Sequence, residues 1–227
     1  MNKSNAHKIS HTLTTPWTAD VDPNLPHPEY PRPQMARDTW QNLNGTWEYT
    51  ITRQDEEMPE VFPGEILVPF PLESALSGVS RQLRPEETLW YHRTFAVEGK
   101  HQDMRTLLHF GAVDWKCEVF INGEHIGEHI GGYDPFTFDI TEALNKGQNT
   151  LLLAVQDPSD SEPIQRGKQV LDPGFIWYTT VSGIWQTVWL EFVPQTYIES
   201  FKITPQFDDN SVAIQVQVNP KNTGLRF

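Results

Sequence analysis

The amino-acid sequence predicts an all-β protein, a β-sandwich or jelly roll. Three observations carry that expectation. Apolar residues alternate with polar ones over many short runs, Gly and Pro punctuate the chain between those runs, and helical periodicity is almost absent. The length of 227 residues suffices for one sizeable sandwich and part of another.

Residues 1–37 form a polar arm rich in proline (Pro16, Pro23, Pro26, Pro28, Pro31, Pro33). Proline removes ladder donors and breaks helices, so the arm is expected to lie extended over a surface, its first ten or so residues a loose tail. Regular structure is expected from Asp38. Trp47, Tyr49 and Ile51 alternate with Glu48 and Thr50, the period of a half-buried strand. Ile66-Leu67-Val68 reads as a short strand before Pro69 and Pro71. Residues 88–97, 104–113 and 115–121 follow as strands. Asn122-Gly123 tolerates the positive φ angles of a type I′ turn and marks a hairpin. A strand over 136–140 is expected to end at Thr141, capping one helical turn through Leu144 that Gly147 closes. Apolar strands over 151–155 and 184–193 complete the sandwich, and Pro194-Gln195-Thr196 reads as a domain boundary. Beyond it, a strand over 198–203 and a turn at Asp208-Asp209-Asn210 lead to a strand in which Val212, Ile214, Val216 and Val218 share one face. Two strands cannot bury an apolar face alone. The expectation is a second domain begun and not finished, hence a fragment or truncated product.

Charge narrows the partners. A formal net charge of -13 repels a phosphate backbone and an anionic membrane surface, so neither nucleic acid nor membrane is expected. Neutral sugars feel little of that field. No apolar run approaches the roughly 18–20 residues that span a bilayer, and the polar start Met1-Asn2-Lys3-Ser4 lacks a signal-peptide core, which predicts a cytoplasmic protein. Cys117 is the only cysteine, so no intrachain disulfide and no thiolate-rich metal site can form.

Three motifs invite chemistry and are read structurally. His125-Ile126-Gly127-Glu128-His129 matches the H-x-x-E-H zinc pattern, which requires a helix. It follows a hairpin turn among glycines, and on a strand four residues span roughly 13 Å, too far for one zinc. No metal or organic cofactor is expected. The acid pairs Glu56-Glu57, Glu86-Glu87 and Asp208-Asp209 could suggest a glycosidase, but sequence neighbours on a strand point to opposite faces. Cys117 sits mid-strand between Lys116 and Glu118, a poor place for a nucleophile. Aromatic residues are the stronger candidates, because sugar rings pack C–H faces on aromatic rings. Trp47, Trp185 and Trp189 lie in expected strands and read as core. Trp177 and Tyr178 lie in a stretch of poor alternation, a loop where binding groups concentrate.

Several motifs resemble one family. Leu43-Asn44-Gly45-Thr46-Trp47 is similar to the opening LNGxW strand of family 2 glycoside hydrolases, the β-galactosidase and β-glucuronidase type. Trp90-Tyr91-His92-Arg93-Thr94-Phe95 resembles their WYxRxF strand. The run from Val119 through Gly131-Gly132-Tyr133-Asp134-Pro135-Phe136 to Thr141 resembles their NG…GGYxPFxFDIT segment. Ser182-Gly183-Ile184-Trp185 through Glu191 resembles their SGIWQTVWLE strand, and Gln165 to Gln169 a PRGKQ loop found in one subgroup. The resemblance implies a galactose-binding-domain-like jelly roll over 38–194, an immunoglobulin-like domain entered at 195–227, and a catalytic TIM barrel absent from this chain. No catalytic residue is therefore assigned here. It also implies that loops of the first domain reach the rim of the barrel's pocket, with Trp177 and Tyr178 as rim residues and Tyr133 and Asp134 as further candidates. The implied partners are a β-linked carbohydrate, the chain's own catalytic barrel and a second copy in a homo-oligomer. The competing expectations are a stand-alone carbohydrate-binding module and a structural or oligomerisation domain.

Overall fold

The computed structural model describes residues 14–101 and 103–219. Sixteen strands are found among them: β1 (Trp40–Asn42), β2 (Gly45–Arg53), β3 (Gly64–Val68), β4 (Glu87–Ala96), β5 (Arg105–Phe110), β6 (Val113–Asp114), β7 (Lys116–Ile121), β8 (Glu124–Ile130), β9 (Phe136–Asp139), β10 (Gln148–Gln156), β11 (Gln169–Val170), β12 (Tyr178–Thr179), β13 (Gly183–Ile184), β14 (Val188–Val193), β15 (Tyr197–Gln206) and β16 (Ser211–Asn219).

Two antiparallel sheets form the jelly-roll sandwich. One runs β3-β2-β4-β10-β7-β8 and the other β1-β14-β5-β9. Their inner faces share one core. Trp47, Leu89, Tyr91, Val119, Ile121, Leu151, Leu153 and Val155 come from the six-stranded sheet; Leu108, Phe110, Val188, Leu190 and Phe192 come from the four-stranded sheet. The alternation read from the sequence has this physical origin: β7 buries every second residue against the core, and β2 does so through Gly45 and Trp47. In β14 the alternation fails because all six residues are buried. Its second face is covered by the arm.

The Asn122-Gly123 turn forms as expected, with both residues at positive φ (52° and 83°), and joins β7 to β8. His125 and His129 lie on β8, so the zinc-like pattern is a strand and not a helix. His129 instead stacks on Phe136 at 4.1 Å. Cys117 is buried opposite His129 and burial pushes its thiol up to about 12, so it is no nucleophile at neutral pH.

Four local expectations are corrected. Thr141 does not cap the following 3-10 turn (Thr141–Ala143). Ile140 holds the cap position, and the Thr141 hydroxyl binds Asp139 and accepts from the Thr106 amide, tying the turn to β5. The predicted strands over 104–113 and 184–193 each break in two. Gly111-Ala112 and the bend at Trp185-Gln186 let the short strands β6 and β13 leave the main sheet and pair with each other. The arm is not wholly extended, since Pro16–Asp20 and Pro33–Met35 are 3-10 turns that begin on proline, where its missing N–H costs nothing. The tail expected over the first ten residues lies outside the described residues. β15 and β16 pair with each other and leave Ile203, Val212, Ile214 and Val216 exposed, while Tyr197 packs on Leu107 and Val193.

Candidate functional site

The segment between β10 and β13 carries a run of exposed aromatics. Phe175 is fully exposed at a positive φ of 57°, Ile176, Trp177 and Tyr178 are also exposed, and the Trp177 amide donates to Gly174 O at 3.0 Å. Four consecutive exposed apolar residues make this segment an exposed apolar patch. The segment is fastened despite its exposure. Tyr178 and Thr179 of β12 pair in parallel with Gln169 and Val170 of β11. The Val181 amide donates to Gln169 Oε1 at 2.7 Å, and Gln82 Nε2 donates to Leu171 O at 3.1 Å. Tyr178, expected in a loop, therefore belongs to a two-residue strand.

Beneath this segment lies a group of buried acids that the sequence reading did not single out. Glu73 accepts from the Ser182 amide at 2.9 Å and from the Thr180 hydroxyl at 3.2 Å. Asp157 accepts from the Ser182 hydroxyl and the Ser159 amide, both at 2.7 Å. Ser182 is thus held by two carboxylates, one before the segment in sequence and one at its start. Asp114, at the end of β6, faces Asp157 and Glu73 electrostatically. Burial comes first in raising all three: Glu73 to about 7 with Asp157 adding to it, Asp114 to about 8 with Asp157 and Glu73 adding to it, and Asp157 upward with Asp160 adding to it. The only local signal for any of them was Asp157-Pro158-Ser159, an Asx-type turn sequence.

Of the other two rim candidates, Tyr133 adjoins this group and Asp134 does not. Tyr133 is 45 % exposed, meets Trp185 edge-on at 6.1 Å between centroids, and lies near the Gln169 side chain. Trp185 Nε1 donates to Gly132 O at 2.7 Å. The structure therefore brings Tyr133, Gln169 and Tyr178 into one neighbourhood. Asp134 is exposed, and no contact with that neighbourhood is found for it among the described residues. Trp47 and Trp189 are core, as expected, and Trp185 is half-buried.

Glycine decides the close packing below the site. Gly183 has φ +87°, and a Cβ there would lie 2.1 Å from the Tyr91 hydroxyl, which accepts from the Ile184 amide at 3.1 Å. Gly183→Ala is expected to destabilise by roughly 2–5 kcal/mol, from left-handed strain plus overpacking. Urea unfolding checks it, and adding Tyr91→Phe should recover part of the loss. An unperturbed Gly183→Ala variant would contradict the packing.

The fold defines the class, an all-β jelly-roll sandwich, and comparison with known proteins gives the family. The family model described as "Glycosyl hydrolases family 2, sugar binding domain" matches residues 65–194, more than half of the chain. The chain belongs to this family. It is 33% identical over 129 residues to a β-galactosidase of Thermoanaerobacter pseudethanolicus, covering 56% of this chain and 17% of the relative. A cat β-glucuronidase is 27% identical over 221 residues, covering 83% of this chain and 34% of the relative. Among solved structures, a β-glucuronidase of an uncultured Clostridium superposes with a TM-score of 0.64 at 26% identity, covering 84% of this chain and 35% of that one. The chain thus spans about a third or less of the length of these relatives. No helix of the described residues is long and apolar enough to cross a membrane.

Proposed function

We propose that this chain is the non-catalytic, sugar-binding portion of a glycoside hydrolase that cleaves the O-glycosidic bonds of β-linked sugars. The observation that carries this reading is the exposed run Phe175-Ile176-Trp177-Tyr178, anchored at both ends yet unburied by the domain that holds it. In the whole enzyme that run forms one wall of the sugar pocket at the rim of a catalytic barrel, with Tyr133 and Asp134 flanking it. Apolar ring faces there take the C–H face of the sugar, and the barrel supplies the chemistry. The domain division follows the same reading: the arm over 1–37, the sugar-binding jelly roll over 38–194 and an immunoglobulin-like unit from 195.

Two measurements test it. The pure chain is expected to release no nitrophenol from nitrophenyl β-galactoside or β-glucuronide, and sustained turnover would contradict the assignment. Titration with methyl β-galactoside should quench tryptophan fluorescence saturably. Trp177→Ala and Tyr178→Ala should each weaken binding by roughly fivefold, the worth of about 1 kcal/mol of ring packing. Undiminished binding in both variants would place the sugar elsewhere.

A further inference from the structure

His101 ends a 3-10 turn (Gly99–His101) between β4 and β5 and is only 8 % exposed. Its place is fixed by its neighbours. The His101 amide donates to Glu98 O at 2.9 Å, and its carbonyl accepts from the Met104 amide at 3.0 Å. Its ring stacks on Phe192 of β14, 4.2 Å between centroids and 10° from parallel. Yet Nδ1 of this ring is buried and has no hydrogen-bond partner. Leaving a buried polar atom unpaired is costly, so such an atom in a folded protein calls for an occupant.

The space for one is there. His101 lines a cavity of about 200 Å³. A single water needs only ~10–15 Å³, so the cavity takes something larger. Met104 and Leu144 give it apolar wall, while the exposed residues Asn145 and Lys146 bring an amide and an ammonium to its mouth. No carboxylate among the described residues lines it. His101 and Met104 also border the adjoining hollow beside Trp40 and Gln41 of β1. The cavity lies where β4 ends and β10 begins, with Ala96 paired to Gln148. The aromatic segment leaves from the other end of β10, whose nine residues span roughly 27–30 Å.

We propose that this cavity is a second sugar subsite, taking one ring of a β-linked sugar with a hydroxyl on His101 Nδ1 and a C–H face on Met104 and Leu144. The class of ligand rests on the sugar-binding reading above; the place does not, because no residue of the aromatic segment takes part. A ring nitrogen of neutral imidazole donates in one tautomer and accepts in the other, and a hydroxyl, which does both, satisfies either. The Asn145 amide matches hydroxyls in the same way. Few polar groups set into an apolar wall are the usual make-up of a small-molecule site. The hollow beside Trp40 leaves room for a neighbouring sugar unit.

Methionine supplies a local reporter. The full chain has four methionines, and of these Met104 alone lines the cavity. Carbon-13 labelling of the methyl groups, with Met104→Leu to identify the signal, lets the site be watched during titration with methyl β-galactoside. The Met104 signal should shift saturably, half-complete at about 1–10 mM, while those of Met35 and Met58 stay in place. His101→Phe keeps a ring on Phe192 and removes the nitrogen, and should weaken this titration about fivefold, the worth of one hydrogen bond. Trp177→Ala should leave it unchanged. A Met104 signal that stays in place, or that drifts in proportion to added sugar without saturating, overturns the subsite. So does wild-type affinity at Met104 in His101→Phe, or loss of the Met104 shift in Trp177→Ala. Near-UV circular dichroism shows whether His101→Phe is folded; if it is not, the wild-type and Trp177→Ala titrations decide. An unmoved Met104 signal beside a fluorescence titration that Trp177→Ala abolishes overturns this inference while the rim reading stands. A saturable Met104 shift beside sugar binding that Trp177→Ala and Tyr178→Ala leave undiminished does the reverse.

Discussion

Replacing Glu191 with alanine is expected to destabilise the chain by about 3–5 kcal/mol, the usual cost of removing one partner from a buried ionic network. Glu191 is completely buried on β14. Its carboxylate accepts from Arg32 Nη2 at 2.6 and 2.8 Å, from Arg37 Nε at 3.3 Å, from Trp189 Nε1 at 3.0 Å and from the Tyr30 hydroxyl. His109 Nε2 lies 3.3 Å away, stacked on Trp189. Without the carboxylate, two guanidinium groups and an indole N–H are left facing each other in the space between arm and sheet. The same loss should free the arm, so limited proteolysis should cut the variant near residues 30–37 while wild type resists. Urea unfolding measures the energy, and a change below about 1 kcal/mol would show that the arm is only laid on the sheet.

Acid should probe the same group. Burial alone would push the Glu191 carboxyl up, but His109, Tyr30 and Trp189 outweigh it and hold it well below the usual carboxylate range. A depressed carboxyl contributes stability that is present above its unfolded value of 4.5 and is lost as pH falls below it. Glu191→Gln should therefore flatten the acid limb of the stability profile.

On the alkaline side the second large effect runs the other way. Glu73 and Asp114 titrate near 7 and 8 in the folded chain, against 4.5 and 3.8 as ordinary carboxyls. Between those values the folded state holds more protons than the unfolded one, so stability falls as pH rises. The contribution is complete below about pH 4 and is lost through pH 7–8, amounting to a few kcal/mol at most. Stability should peak near pH 5, where Glu191 is ionised and the acids under the aromatic segment are still protonated. Urea midpoints for wild type at pH 5.5 and 8.5 should differ by a readily measured margin. Glu73→Gln with Asp114→Asn should remove most of that difference. Equal midpoints for wild type would mean that these acids ionise freely.

The linkage reaches the aromatic segment because Glu73 and Asp157 are its fastenings. Ser182 is gripped by both, and Thr180 by Glu73. Ionising all three acids places like charges together in a low dielectric, which is relieved most easily by loosening the segment that carries Trp177 and Tyr178. Stability and sugar contact should therefore weaken over the same pH range.

The strands were legible because burial on one face has a period of two, and period two can be read along a chain. Trp47, Tyr49 and Ile51 on β2 and the Asn122-Gly123 hairpin needed nothing but near neighbours. Trp177 and Tyr178 were legible as a break in that period, and Tyr133 through the resemblance of its segment. Glu73, Asp114 and Asp157 left no comparable mark, since they sit on three separate segments and each alone reads as an ordinary surface acid. The breaks between β5 and β6 and between β13 and β14 were equally hidden, because they depend on which strands compete for a partner.

By itself, then, the sequence determined the all-β class, the order of strands and the family, all properties written in short-range periodicity and contiguous motifs. The tertiary structure alone decided which charges are buried together. It put the arm's Arg32 and Arg37 on Glu191 of β14, and it gathered three acids under the segment that exposes Phe175, Trp177 and Tyr178. The physical reason is that a carboxyl's behaviour is set by the dielectric and the charges around it, and those come from residues far away along the chain.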